Sequence, residues 1–274
     1  TAVVFAGLPP QYESEGFDRA DMSMPEGHIR LIEAVAAANP NTVVVLFCGG
    51  AVEMPWADKV RGILYMGLPG EAGGEAVEQL LFGRAVPSGK LAESWPLRYS
   101  DCSVSEHYGE RDPAYREGLY VGYRWYASAG VPVRYPFGHG LSYTSFEYSD
   151  IAVEDGRVSF TLKNTGERAG AEVSQLYFTP PESRYYRPQL NLCGFARTGR
   201  EPPCERGHLE GEPRGLDGRG LARPRRGLQA ETGLEQRGHK ARNRARLSRC
   251  PAPRAAGDAG VVLRAAGQTA HRGL

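Results

Sequence analysis

The sequence predicts an α/β fold: a partial parallel sheet covered by helices, then an incomplete antiparallel β-sandwich, then a disordered basic tail. Three observations carry this reading. Continuous apolar, β-branched runs alternate with helical patterns over the first hundred residues, the signature of strands buried on both faces. From Phe146 the apolar period changes to two, with turn signals between the runs. Beyond Phe195 there is no aromatic residue.

In chain order, Ala2-Val3-Val4-Phe5-Ala6 is an apolar run that reads as a buried strand, ended by Gly7. Pro9-Pro10 then forbids helix, so residues 8–24 form a loop at a strand's carboxyl end. Pro25 opens a helical pattern with Ile29, Ile32, Val35 and Ala36 on one face, stopping at Asn39-Pro40. Thr42 to Phe47 is a second strand and Ile63-Leu64-Tyr65-Met66 a third. Ala76, Val77, Leu80 and Leu81 make a second amphipathic helix before Gly83. Residues 100–145, rich in Tyr, Arg, Gly and Pro without a steady period, read as an extended connector. Phe146-Tyr148, Ile151-Val153, Val158-Phe160-Leu162 and Val173-Gln175-Tyr177 then alternate around Glu154-Asp155-Gly156 and Asn164-Thr165-Gly166 turns.

The first loop holds the chemistry. Tyr12-Glu13-Ser14-Glu15-Gly16-Phe17-Asp18-Arg19 places three carboxylates, two rings and an arginine at the sheet edge where α/β folds bind ligands. A carboxylic acid held against aromatic rings loses hydration, which raises its pKa and suits it to general-acid work. A solvated acidic loop is the bland alternative.

Two tempting motifs fail. Gly83-Arg84-Ala85-Val86-Pro87-Ser88-Gly89-Lys90-Leu91 has five spacer residues where a phosphate loop has four, and Leu91 where Ser or Thr should bind magnesium. Gly67, Gly70, Gly73 and Gly74 lack dinucleotide-binding spacing and fit a strand-to-helix turn instead. His139, between two glycines, reads as a turn residue before a sugar contact, and Trp56 and Trp125 as buried anchors at least as readily as stacking platforms. Five cysteines form no C-x-x-C pair, and no cofactor or metal is expected. Cys48, ending an apolar run, reads as a small buried hydrophobe.

Several pieces resemble glycoside hydrolase family 3, the β-glucosidase and β-xylosidase family, and they occur in a fixed order. They are Glu15-Gly16-Phe17-Asp18-Arg19, Asn39-Pro40-Asn41-Thr42-Val43-Val44-Val45, Met54-Pro55-Trp56, Gly70-Glu71-Ala72-Gly73-Gly74 and Leu81-Phe82-Gly83 running into Pro87-Ser88-Gly89-Lys90-Leu91. Tyr120-Val121-Gly122-Tyr123-Arg124-Trp125-Tyr126 and Pro136-Phe137-Gly138-His139-Gly140-Leu141-Ser142-Tyr143-Thr144 complete the series. The resemblance implies that residues 1–99 are the family's C-terminal α/β sandwich domain without its first strands. Residues 100–145 are then the connector, and 146–197 part of a fibronectin type III-like domain. It also implies a retaining mechanism on a β-linked glucoside or related oligosaccharide. In the family the nucleophilic Asp lies on a (β/α)₈ barrel, and the acid/base Glu directly precedes Gly, which is Glu15 here. Glu13 is the runner-up for that role, with Phe17, Asp18 and Arg19 binding substrate or shaping the loop. Asp18 and Arg19 are expected to pair with each other or with loop backbone. These 274 residues hold no such barrel, so the chain alone is expected to be inactive. The reading from a different class is a non-catalytic carbohydrate-binding or interaction module.

The formal charge of +1 averages two unlike halves. From Arg197 onward, sixteen Arg and one Lys face eight acidic residues, a net of +9, while residues 1–196 carry −8. A stretch without rings and dominated by Arg, Gly, Ala and Pro buries no useful core, so 198–274 is expected to be a disordered basic tail. Its abrupt start, inside a segment that should continue as apolar strands, favours a shifted reading frame over a genuine arm. Without aromatic residues to stack on bases, nucleic acid is not an expected partner. No apolar run approaches membrane-spanning length, and no membrane partner is expected. The chain opens in mid-strand with neither Met nor a signal segment, so compartment is not legible.

Overall fold

The computed structural model describes residues 1–154, 157–180, 185–198, 205–209, 242–245 and 260–264. They fall into two compact units. One comprises Thr1–Ala85, Glu93–Tyr126 and Gly130–Phe137; the other comprises Val86–Ala92, Ala127–Ala129 and the described residues of Gly138–Leu274.

The first unit is built on a parallel sheet of β1 (Ala2–Gly7), β2 (Thr42–Phe47) and β3 (Gly62–Tyr65), in the order β1-β2-β3. The central strand is the most apolar, and Val44, Val45 and Leu46 lose all exposure. Helix α1 (Glu26–Ala38) connects β1 to β2 and packs on both, burying Ile32 and Ala36 as its 3.6-residue apolar spacing requires. Residues 48–61 then cross to β3 with only a short 3₁₀ turn at Ala57–Lys59, and Val52, Met54 and Trp56 are buried along the way. Trp56 is therefore an anchor. Helix α2 (Gly73–Leu81) follows β3, after Gly67 and Gly70 turn the chain with positive φ.

The region expected to be an extended connector is more regular than its composition implied. Strand β4 (Trp95–Pro96) pairs antiparallel with β5 (Val133–Tyr135), and between them lies helix α3 (Tyr123–Ala129). Seven residues are too few to display a helical period, and the helix is defined by its ends. Gly130 closes it in the left-handed conformation. The Trp95 ring meets Tyr65 edge-on at 4.9 Å.

In the second unit β6 (Phe146–Glu154), β7 (Arg157–Asn164), β8 (Val173–Thr179) and β9 (Asn191–Arg197) are antiparallel neighbours in two sheets. Two runs read separately from the sequence form the one strand β6, with an irregularity between Ser149 and Ala152, where Asp150 has a φ of 52°. Three short backbone strands complete the sheets: β10 (Glu205–Leu209), β11 (Arg242–Ala245) and β12 (Gly260–Arg264). Their orders are β11-β10-β7-β6 and β12-β8-β9. The expectation of a disordered tail covers 198–274: within it these three strands are described, and apart from Thr198 the remaining residues lie outside those described.

Phe160 and Leu162 of one sheet pack with Phe146, Tyr148 and Ala196, the last from the facing sheet. Strand β8 departs from simple alternation, because Ser174, Gln175, Leu176 and Tyr177 are all buried. Its polar side chains are admitted to the interior by pairing: Tyr148 Oη shares a hydrogen bond with Ser174 Oγ at 2.8 Å, and Tyr177 Oη donates to Gln175 Oε1 at 2.7 Å. The rejected phosphate loop is also resolved here. Lys90 Nζ donates to Gly140 O at 2.8 Å and pairs with Glu172 at 3.1 Å, both side chains buried, so this lysine is committed to the interior. His139 belongs to the same turn: its carbonyl accepts from Leu91 N at 2.8 Å. Burial, then the Lys90 charge, pushes its pKa down.

Candidate active site

Strands β1, β2 and β3 run parallel, so the loops 8–25, 48–61 and 66–72 all leave the same, carboxyl edge of the sheet. The first of these loops is the acidic one. It starts with a turn in which Pro9 O accepts from Tyr12 N at 2.8 Å and from Glu13 N at 3.3 Å. It ends on Met22 and Met24, both buried. Between these ends it is laced to the second loop. Glu13 accepts from Gly49 N with both carboxylate oxygens, at 2.8 and 2.9 Å. Arg19 Nη1 donates to Ala51 O at 3.2 Å, and Met22 O accepts from Glu53 N at 2.8 Å.

Two glycines make the geometry possible. Gly16 has a φ of 83°, which an L side chain adopts only with strain, and it turns the chain immediately after Glu15. A Cβ on Gly49 would stand 2.7 Å from Glu13 Oε1, inside contact distance, so only glycine leaves room for the two-oxygen bond.

The sequence-derived residues thus take distinct places. Glu13 is half-buried and faces the sheet edge through Gly49, while Glu15 lies on the exposed crest between the Glu13 and Arg19 attachments. Phe17 is 80% exposed. No shelter for Glu15 is made by this loop's own rings, contrary to the enclosure envisaged from composition, because both anchors pull backbone inward and leave the crest in solvent. Asp18 and Arg19 act on separate groups: Asp18 raises the pKa of the Tyr108 hydroxyl, and Arg19 reaches the Ala51 carbonyl of the neighbouring loop. Of the two arrangements expected, a mutual pair or bonds to loop backbone, Arg19 takes the second, on the neighbouring loop's Ala51 carbonyl.

Behind the loop lies a group of ionisable side chains that includes one the sequence reading missed. Cys48 is fully buried, and desolvation, aided by the Glu13 charge, pushes its thiol up to about 12. Tyr65 is likewise raised to about 12, first by desolvation. Glu93, just before the buried Trp95, is the missed residue. Desolvation raises its pKa, while the Ala51 N–H and the Arg19 charge act in the opposite sense. Its position in Leu91-Ala92-Glu93-Ser94-Trp95-Pro96, a lone carboxylate leading into a buried aromatic strand, was the available signal.

Since the thiolate is the reactive form, Cys48 is expected to resist alkylation at about pH 8 in the native protein, where Cys102 and Cys193 react first. Peptide mapping after a timed iodoacetamide pulse measures this order. Among the described residues no group of three His, Cys, Asp or Glu side chains could hold a metal ion. None of their helices is long and apolar enough to cross a membrane.

The model of the glycosyl hydrolase family 3 C-terminal domain matches residues 1–143, which include the acidic loop, its anchors and Glu93. The chain belongs to glycosyl hydrolase family 3. It is 50% identical over 215 residues to thermostable β-glucosidase B of Acetivibrio thermocellus, covering 75% of this chain and 28% of that protein. It is 43% identical over 203 residues to an exo-α-(1→6)-L-arabinopyranosidase of Bifidobacterium longum, covering 71% of this chain and 27% of that one. Among solved structures, DesR, a β-glucosidase from Streptomyces venezuelae in complex with D-glucose, superposes with a TM-score of 0.70 at 40% identity. That match covers 79% of this chain and 29% of the other. The chain thus spans little more than a quarter of the length of its curated relatives.

Proposed function

We propose that this chain supplies the general acid/base carboxyl, Glu15, of a retaining β-glucosidase-like hydrolase, with a β-linked glucoside or related oligosaccharide as substrate. The observation that supports this best is the mounting of Glu15. It sits on an exposed crest at the sheet's carboxyl edge, with the loop tied down two residues before it at Glu13 and four after it at Arg19. A carboxyl held this way can meet a substrate bound on another body without the loop rearranging, which is the positioning that proton transfer requires.

Retaining glycosidases need a second, nucleophilic carboxylate about 5–5.5 Å from the first. In this reading that group is an Asp on a (β/α)₈ barrel outside these 274 residues. The barrel and the substrate also supply the enclosure that Glu15 lacks here, excluding water and favouring the protonated acid. Glu13 is the loop-shaping residue, its two oxygens being engaged by Gly49 N. Phe17, Asp18 and Arg19 shape or line the same edge. The relatives' names span a glucosidase and an arabinopyranosidase, so the sugar is assigned only by class.

The exposed rings of Phe17 and Tyr12 are the observation that favours a non-catalytic carbohydrate-binding module instead. The experiment is to assay the 274-residue chain, purified to constant specific activity, on aryl β-glucosides, alone and after joining it to a family 3 barrel. We expect no turnover alone and restored turnover with the barrel. Turnover by the chain alone that disappears in Glu15→Gln contradicts the division of labour. Sugar binding without any turnover in the joined form favours the module.

A further inference from the structure

Val52, Met54 and Trp56 are buried, so the segment after β2 is pinned at every second residue. The alternate residues 49, 51 and 53 carry its bonds to the acidic loop. Gly49 N donates to Glu13, Ala51 O accepts from Arg19, and Glu53 N donates to Met22 O at 2.8 Å. This is the spacing of extended backbone, whose successive residues face opposite ways. Gly49 and Ala51 have no side chain that could reach beyond the acidic loop. Glu53 has one, and its Oε1 accepts from Tyr99 N at 2.8 Å, 46 positions along the chain. Tyr99 opens a short 3₁₀ turn, Tyr99–Asp101, and the first amide of such a turn has no partner inside it. The Glu53 carboxylate supplies that partner. Cys102 N then donates to Tyr99 O at 3.0 Å, and Cys102 Sγ donates to Met22 Sδ at 3.8 Å. Met22, Glu53, Tyr99 and Cys102 thus close a circuit of contacts at the trailing end of the acidic loop.

We propose that Glu53 is a positioning residue: bonded to Met22 through its amide and to Tyr99 through its carboxylate, it fixes the trailing end of the acidic loop and with it the segment that presents Glu15. The catalytic meaning of this fixing rests on Glu15 being the acid/base; the fixing itself does not.

Both ends of the loop need a hold. Glu13 fastens the leading end to Gly49, and Arg19 adds one bond beyond the crest. Without the Met22 attachment, the backbone after Arg19 regains conformational freedom, and the crest spreads over positions that proton transfer to a fixed substrate does not tolerate. The Glu53 bond to Tyr99 is suited to prevent this, because a carboxylate accepting from a backbone N–H is about twice as strong as a neutral pair. Buried Val52 and Met54 on either side keep Glu53 from following the loop if it moves. The plainer role for the same carboxylate is to cap the Tyr99–Asp101 turn alone.

Amide hydrogen exchange in the full chain, followed residue by residue by NMR and corrected for intrinsic rates, separates the two roles. Gly49 N–H is the reporter, because its bond goes to Glu13 at the loop's other end and includes no atom of Glu53. In Glu53→Ala the amides of residues 49 and 53 are expected to lose protection about tenfold or more, while those of Val44–Leu46 and of β8 and β9 keep theirs. Glu53→Gln retains an acceptor oxygen for Tyr99 N and is expected to stay within about threefold of the wild-type protection. Loss confined to the Tyr99 amide in Glu53→Ala makes Glu53 a cap of that turn only and overturns the proposal. A Gly49 loss in Glu53→Gln equal to that in Glu53→Ala overturns it as well. Should Glu53→Ala not fold, Tyr99→Pro decides, since it removes the donor, fits the first position of the turn and leaves Glu53 intact. Gly49 protection is then expected to fall about tenfold, and unchanged protection overturns the proposal. No arm measures turnover, so failure here leaves the Glu15 assignment standing, and failure of that assignment leaves the fixing intact.

Discussion

Glu15→Gln, placed in a complete enzyme built around this chain, is expected to slow hydrolysis of glucosides with poor leaving groups by about 10²–10⁴-fold. The substitution keeps the side chain's size and removes only its proton chemistry. Glu15 stands on a crest whose attachments are made by Glu13 and Arg19, so the loop's bonds to Gly49 and Ala51 are untouched. The loss should shrink for aryl glycosides whose leaving groups depart without a proton. Azide should then restore part of the second step, because the acid has become the base by that point and azide needs none. Leaving-group dependence, measured as kcat/KM across an aryl series, is the deciding readout. Equal losses on good and poor leaving groups, with no azide effect, would transfer the role away from Glu15, and Glu13→Gln becomes the next variant to assay.

The largest expected stability effect is in the second unit. Lys90 and Glu172 pair at 3.1 Å with side chains only 5% and 4% exposed. Glu172→Ala leaves the Lys90 ammonium buried with Gly140 O as its remaining described acceptor, and is expected to cost about 3–5 kcal/mol. Replacing both partners by apolar residues of similar size, Lys90→Met with Glu172→Leu, should cost far less, because both desolvation penalties vanish with the attraction. Denaturant unfolding followed at the tyrosines of β6 and β8 measures both. If the single and double variants are equally unstable, packing rather than charge holds this site.

The two sites differ in how much of them could be read from residues alone. The acidic loop was legible because its cues are local: an apolar strand, a glycine, two prolines and clustered carboxylates lie within twenty residues. The strands of the parallel sheet were legible for the same reason, as was α1, whose Ile32 and Ala36 fall on one face by spacing alone. Strand β8 reads as alternating, with Val173, Gln175 and Tyr177 on one face. Its burial on both faces depends on Tyr148 and Tyr177 hydroxyls that no local pattern announces. Helix α3 was too short to show a period.

By itself, then, the sequence determined the strands of the parallel sheet, the helices α1 and α2, where the sheet's carboxyl edge falls, and which carboxylates the first loop brings to it. Periodicity and turn residues act over a few positions, so a linear reading captures them. Only the tertiary structure decided which groups hold that edge together. The Glu13–Gly49, Arg19–Ala51 and Lys90–Glu172 contacts join residues 36, 32 and 82 positions apart. Hydrogen bonds and ion pairs act within a few ångströms, so such partners become neighbours only once the sheets have formed.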